Sequence, residues 1–297
     1  MKFDWSLLFE LAANGALSGL MYSLVALGIV LIYKSSSVPN LAQGALAMLG
    51  AYVAMAVFDL LKAPMWLTIP LAMAVMFGIG LGVERIALRR LAGRPLVMIL
   101  MMTLALDIFI RAAALAGWGA TNRVLPLGIS SDPLFIGDVL INRSYLAGGV
   151  VTLLLFGFFV LFFRTRLGIV LRAISDDYTA SWSVGISVER GVALSWAMSA
   201  AVATLAGVMW GSIQGVDQSL SQLLLMGVAV AVLGGLDSIG GAVLAGVLLG
   251  TFQGVASGYL DRLVGGGSRE LVMAATLVLT ILIRPHGLFG REDIERI

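Results

Sequence analysis

The sequence predicts an all-α polytopic membrane protein of eight or nine transmembrane helices, some short or broken, with one short helix in a cytoplasmic loop. Three observations carry this. Hydrophobic residues make up 60% of the chain and charged residues only 12%, against roughly a quarter charged in soluble domains. The apolar residues come in solid blocks near the length of about 20 that a spanning helix needs, without the alternation of a membrane β-barrel. Lysine and arginine collect between the blocks, so topology explains the basic pI of 9.1 better than nucleic-acid binding does.

In chain order the blocks are Leu11–Tyr33, Leu41–Phe58, Met65–Val83, Leu96–Trp118, Tyr145–Phe163, Gly191–Ile213, Leu220–Leu236, Ala242–Tyr259 and Leu271–Ile283. The second, seventh and ninth are short or interrupted, which leaves eight and nine spans equally defensible. The first is about twice as long as a signal-peptide core and no A-x-A site follows it, so it reads as a retained span. There is no strict internal repeat. Each half does pair a full block with a glycine-interrupted one, Leu11–Tyr33 with Leu41–Phe58 and Gly191–Ile213 with Leu220–Leu236. Such pairs point to a transporter's binding region.

Orientation follows from the basic residues. With the loop at Arg85, Arg89, Arg90 and Arg94 in the cytoplasm, alternation adds Lys34, Arg164, Arg166, Arg172, Arg190, Arg284, Arg291 and Arg296 on that side. The outside keeps Lys2, Lys62, Arg123, Arg143, Arg262 and Arg269, with Arg111 inside the membrane. Twelve against six predicts the N-terminus outside and the C-terminus in the cytoplasm. The external loop 119–144 is rich in turn formers (Pro126, Gly128, Asp132, Pro133, Gly137) and is either a contact for an extracytoplasmic partner or a passive connector.

The loop 164–190 falls in the cytoplasm. After Arg164, Arg166 and Arg172 comes the polar cluster Ser175–Trp182. Ser175 is expected to cap a helix of two to three turns, with Asp176 and Asp177 in its positive first turn and Gly185 ending it in the left-handed conformation. Tyr178 and Trp182, four apart, share a face. A helix this short is not stable alone in water, so it is expected to dock.

Several polar groups lie within the apolar blocks. Pro39 suits a helix start, and Asn40 and Gln43 bring amides to the membrane edge beside Gly44. They either bridge helices or line a translocation pathway. Asp107 and Arg111 lie mid-block, one helical turn apart, and form a structural pair, a bridge to a neighbouring subunit or a proton relay. Ala242, Gly246, Gly250, Gly254 and Gly258 recur every four residues, the spacing of close helix packing in lipid. Gly234–Gly241 reads as a tight cytoplasmic turn.

Other chemistry is excluded. The chain has no cysteine, hence no disulfide or thiolate site. It shows no phosphate loop, no metal-ligand spacing and no nucleophile–histidine arrangement, so no catalytic residue and no metal ligand is expected. Its one histidine, His286 beside Pro285, reads as a loop residue.

Almost end to end the chain resembles the permease subunits of the branched-chain amino acid family of ABC importers. The likeness runs through GALSGLMYSLVALGIVLIY (Gly15–Tyr33), VPNLAQGALAMLGAYVA (Val38–Ala54), RTRLGIVLRAISDD (Arg164–Asp177), AVLGGLDSIGGAVLAGVLLG (Ala231–Gly250) and RPHGLFG (Arg284–Gly290). The resemblance implies that the short cytoplasmic helix is a coupling helix, with Arg172, Asp177, Ala180 and Gly185 as residues that contact an ATPase. Thr179 and Ser181 depart from the family pattern, as do Asp237 and the charged pair Asp107 and Arg111. It further implies a bacterial inner-membrane importer built from two related permease chains, two ATP-binding subunits and a periplasmic solute-binding protein. No cofactor is expected on this chain, ATP and magnesium belonging to the partner subunits. The cargo would be a branched-chain or other hydrophobic amino acid, with urea, short amides or small aromatic acids as alternatives. A secondary transporter driven through Asp107 and a passive channel are the readings from other classes. Neither needs a docked cytoplasmic helix.

Overall fold

The helix on which the others pack is α1 (Trp5–Ser36), apolar on every side and buried without a break from Gly19 to Ile32. A helix with no polar face belongs in the interior. The computed structural model describes residues 5–91, 93–130, 132–137 and 139–290; Ile136, Tyr178 and residues 262–264 are described in their backbone alone. Around α1 stand α5 (Arg143–Phe162), α8 (Val188–Gln214), α9 (Leu223–Gly234) and α10 (Ile239–Val264). A second layer of α2 (Gln43–Leu61) and α3 (Met65–Val83) packs on α8, α4 (Leu96–Trp118) lies on α2, and α11 (Ser268–Ile283) lies on α10 and α9. The polar loop between α5 and α8 holds α6 (Arg166–Asp176) and α7 (Tyr178–Ser183).

The nine apolar blocks correspond to nine helices among the described residues, and seven are long and apolar enough to cross a membrane. The second block, expected to be short or interrupted, is a full 19-residue helix. The two short ones are α9 and α11, of 12 and 16 residues. A 3-10 turn, Gln218–Gln222, leads into α9. Its steeper rise of about 2 Å per residue brings turn and helix together to roughly 28 Å, close to the hydrocarbon thickness.

Contacts between helix ends sort the connections onto two faces of the bundle. On one face Arg123 pairs with Asp59 at 3.0 Å, Val216 N–H donates to the Arg123 carbonyl, Asn122 binds Asp217 and Asn14 donates to the Leu140 carbonyl. On the other, Lys34 Nζ donates to the Asp237 carbonyl at 2.7 Å, Ser37 approaches Ser175, and Leu288 and Phe289 N–H donate to the carbonyls of Leu233 and Gly234. The last two bonds seat the Arg284–Gly290 segment on the Gly234–Gly241 turn. There Gly235 takes φ +99°, and a Cβ on it would press on the Gly290 backbone.

Three local expectations change. The α3 helix does not stop at Val83 but continues as a π-helical turn, Glu84–Leu88, and a 3-10 turn, Arg89–Leu91. The buried Glu84 causes the deviation to be stable there: Arg89 grips it at 3.0 and 3.2 Å, and also reaches Glu189 on α8 at 3.6 Å. Pro39 precedes the start of α2 by four residues, because the Asn40 side chain accepts from Ala42 N–H and holds a turn instead. Finally, the 119–144 loop carries a hairpin, β1 (Leu134–Ile136) against β2 (Val139–Ile141). Its signal was present as Gly137–Asp138 between two apolar triplets.

The most extensive helix packing joins α1 and α10. Gly15 and Gly19 of α1 face Gly246, Gly250 and Gly254 of α10, and a Cβ on any of the five would run into the opposite backbone or, at Gly246, also the Ser23 hydroxyl. Small residues permit this approach, and in lipid close van der Waals contact is a main source of helix association. The sequence marked only the α10 side of this contact.

Candidate functional site: the polar loop and the intramembrane polar groups

The polar loop is two helices rather than one. Thr165 caps α6, accepting from Gly168 N–H. Ser175, expected as the cap of the next helix, lies within α6, and Asp176 is its last residue. Asp177 makes the break. Its backbone is extended, at φ −155° and ψ 106°, and its Oδ1 accepts from Ala180 N–H at 2.8 Å, capping α7. A carboxylate caps as well as a serine and also favours the positive helix end. At the other end Gly185 N–H donates to the Trp182 carbonyl, Ile186 N–H donates to the Ser181 carbonyl, and Gly185 has φ +83°. This pair of bonds is the Schellman closure, which needs a left-handed residue where glycine stands. Hence α7 is short because capping residues bound it on both sides.

Leu171 and Ile174 face inward and dock α6 against α1 and α8, where Ile174 packs against Gly191. Arg172 donates to the Phe163 carbonyl at 2.9 Å, satisfying the last turn of α5. On α7, Ser181 is buried while Trp182, and Val184 just past the helix, are 73% and 74% exposed. The expected face shared by Tyr178 and Trp182 cannot be drawn, as the Tyr178 side chain lies outside the described atoms. Beside α6, a cavity of about 350 Å³ opens between Lys34, Arg172, Ser175, Asp176, Asp237 and His286. It lies on the same face of the bundle as α7.

Asn40, Gln43 and Gly44 lie between helices. Asn40 Nδ2 donates to Gln43 Oε1 at 3.0 Å, and the Ser199 hydroxyl lies 2.8 Å from that oxygen and 2.9 Å from the Gly28 carbonyl, its one proton shared between them. Asn40, Gln43 and Ser199 are fully buried, so the network ties α1, α2 and α8 together. Gly44 lets α2 meet the 3-10 turn before α9, since a Cβ there would strike the Ser221 carbonyl. Sequence reading missed Ser199, which lies in an ordinary apolar block with no local cue.

Asp107 lies on the buried stripe of α4 with Thr103, Ile110 and Ala114 and forms an ion pair at 2.6 Å with Arg111, whose side chain is partly exposed. Gln218 Nε2 donates to the Arg111 carbonyl at 3.2 Å. Among the described residues no group of three or more metal-binding side chains comes together.

Comparison with known proteins follows the same lines. Residues 11–283 match the profile of a family described as branched-chain amino acid transport system, permease component. The high-affinity branched-chain amino acid transport system permease protein BraD of Pseudomonas aeruginosa is 30% identical, over 96% of both chains. The probable branched-chain amino acid transport permease protein LivH of Methanocaldococcus jannaschii is also 30% identical, over 90% of this chain and 88% of its own. Among solved structures, PsaBC from Streptococcus pneumoniae in complex with Fab aligns over 92% of each chain, with 15% identity and a TM-score of 0.47.

Proposed function

The chain belongs to the family of branched-chain amino acid transport system permease components, and from that premise we propose that it is the membrane subunit of an ATP-driven importer for branched-chain or other hydrophobic amino acids. It works with a second related permease chain, two ATP-binding subunits and an extracytoplasmic solute-binding protein. Nucleotide and magnesium are held by the ATP-binding subunits. The face carrying α7, the 350 Å³ cavity and the C-terminal turn is cytoplasmic, as the basic residues favour.

The observation that carries this reading is α7. A six-residue helix with designed ends holds a tryptophan and a valine out to water, which a self-contained transporter or channel has no use for. Exposed large aromatics of this kind are the anchors of protein contacts. When the ATP-binding subunits close on nucleotide, a docked α7 transmits the movement through α6 and α8 to the bundle, a rigid-body alternation of access. Asp177, Ala180 and Gly185 shape the helix, and Arg172 fastens its support to α5.

Two variants test it. Ala180→Glu places a charge in the contact, and Gly185→Val opposes the left-handed closure. Both leave every spanning helix intact. Co-purification of the ATP-binding subunits and uptake of labelled leucine into membrane vesicles should fall together in each. Full association and full uptake in both variants would instead favour a gradient-driven carrier or a channel. Competition with urea, acetamide and benzoate in the same vesicles separates the cargo classes.

A further inference from the structure

The outer surfaces of α3 and α5 are apolar, with Leu71, Val75 and Leu81 exposed on one and Leu153, Leu154 and Phe158 on the other. Surfaces against hydrocarbon should look like this. The α4 helix does not. Among exposed Leu104, Ile108, Phe109 and Leu115 it carries Arg111, whose side chain is 40% exposed although paired with Asp107.

Arg111 cannot escape to the membrane surface. Its Cα lies about 10 Å along the axis from the helix end at Trp118. Helical side chains lean toward the N-terminus, and here the partner, Asp107, stands at the midpoint of α4. The guanidinium is therefore held toward the middle of the membrane. It also has donors to spare, for its Nε is buried without a hydrogen-bond partner. So does the hydroxyl of Tyr52, a buried α2 residue stacked on Trp118 with ring centroids 5.4 Å apart. The face of α4 beside the 218–222 turn thus carries a half-exposed cation, while its Nε and, nearer the end of the helix, the Tyr52 hydroxyl on α2 are buried without partners. Lipid does not satisfy the exposed part of the guanidinium.

We propose that this face of α4 lines the aqueous transport path, screened from lipid by the second permease chain, and that Arg111 takes the carboxylate of the solute as it passes. Asp107 is a positioning residue that holds the guanidinium fork toward the path. Arginine suits the task because its planar fork meets a carboxylate through two parallel bonds. The inference rests on the importer reading above and extends it to a solute-contacting residue inside the membrane.

The chain contains no cysteine, so Arg111→Cys introduced with Asp107→Asn is its only thiol. In liposomes holding the assembled importer, 2-(trimethylammonium)ethyl methanethiosulfonate should modify that thiol, read by the mass of this chain. Trapping with ATP and vanadate should change the rate at least about threefold, as access alternates. In parallel, Asp107→Asn with Arg111→Gln should assemble normally yet lose at least about tenfold in leucine uptake, while Arg111→Lys, keeping charge without the fork, falls between. Absence of modification in both states, or parental uptake by the neutral pair, would overturn the proposal. The thiol readout needs no cargo. Failure of the unaltered complex to take up leucine would therefore count against the cargo reading alone.

Discussion

Gln43 and Ser199 lie 156 residues apart and meet at 2.8 Å inside the bundle. Gln43 is the hub, since its Oε1 serves both Asn40 and Ser199. Gln43→Leu would leave the Asn40 amide without its acceptor in an apolar site, at about 1–3 kcal/mol for a stranded polar group. Ser199→Ala removes one bond of a shared acceptor and should cost nearer the roughly 0.6 kcal/mol typical of membrane hydrogen bonds. Thermal unfolding in detergent should rank them in that order; equal losses would mean that the network does not centre on Gln43. Glycines offer a matched test. Gly246→Ala drives a methyl into Gly19 and Ser23, whereas at Gly157 nothing lies within 4 Å of an added Cβ. Overpacking should make the first destabilising by about 1–3 kcal/mol. The second should be neutral or slightly stabilising, as alanine favours helix. Similar Tm values for both would remove close α1–α10 packing as a source of stability.

At the scale of the element, α7 separates the stability of the chain from its capacity to bind. Asp177→Ala removes the cap and should weaken the helix by about 1 kcal/mol. Trp182 contributes almost nothing to the isolated chain, because its side chain is mostly in water. Trp182→Ala should therefore leave the Tm of the purified permease unchanged while lowering capture of the ATP-binding subunits at least tenfold, the scale of a tryptophan anchor of about 2 kcal/mol. Unchanged capture would show that the partner grips another part of this face, such as the rim of the cavity beside α6. The α6 helix differs in kind, since Leu171 and Ile174 bury it against the bundle before any partner arrives.

For the whole molecule, the contacts between helix ends fix which loops share a side but not which side is the cytoplasm. The arginine bias is the basis on which we propose it. Ser181 is a poor reporter because it is buried; Val184 and Phe135 are exposed, at the end of α7 and in the hairpin. Thiols at Val184→Cys and Phe135→Cys should react with a membrane-impermeant maleimide from opposite sides. In intact cells only Phe135→Cys should label, and labelling of Val184→Cys there would invert the orientation.

What the sequence determined by itself is what depends on local composition. The limits of α3 at Met65 and of α4 at Leu96 and Trp118 are legible because a spanning helix must satisfy its own backbone with consecutive apolar residues. The left-handed Gly185 and the pairing of Asp107 with Arg111 are legible because each involves neighbours within about one turn. Only the tertiary structure decided which helices are central. The blocks of α1 and α4 are similarly apolar, yet one is enclosed and the other lies at the edge, and hydrophobicity cannot distinguish a protein neighbour from lipid. It also decided the partners of Gln43 and Gly246, which lie on helices remote in sequence. The cap moved from Ser175 to Asp177 for a related reason. The apolar side chains at Leu171 and Ile174 find a buried site, so α6 continues through Ser175 and the break falls at the next residue able to hold an extended backbone and accept from Ala180. Arg111 reads as half of a neutralised pair in one dimension and as an exposed cation in three, because exposure is a property of what the other helices leave uncovered.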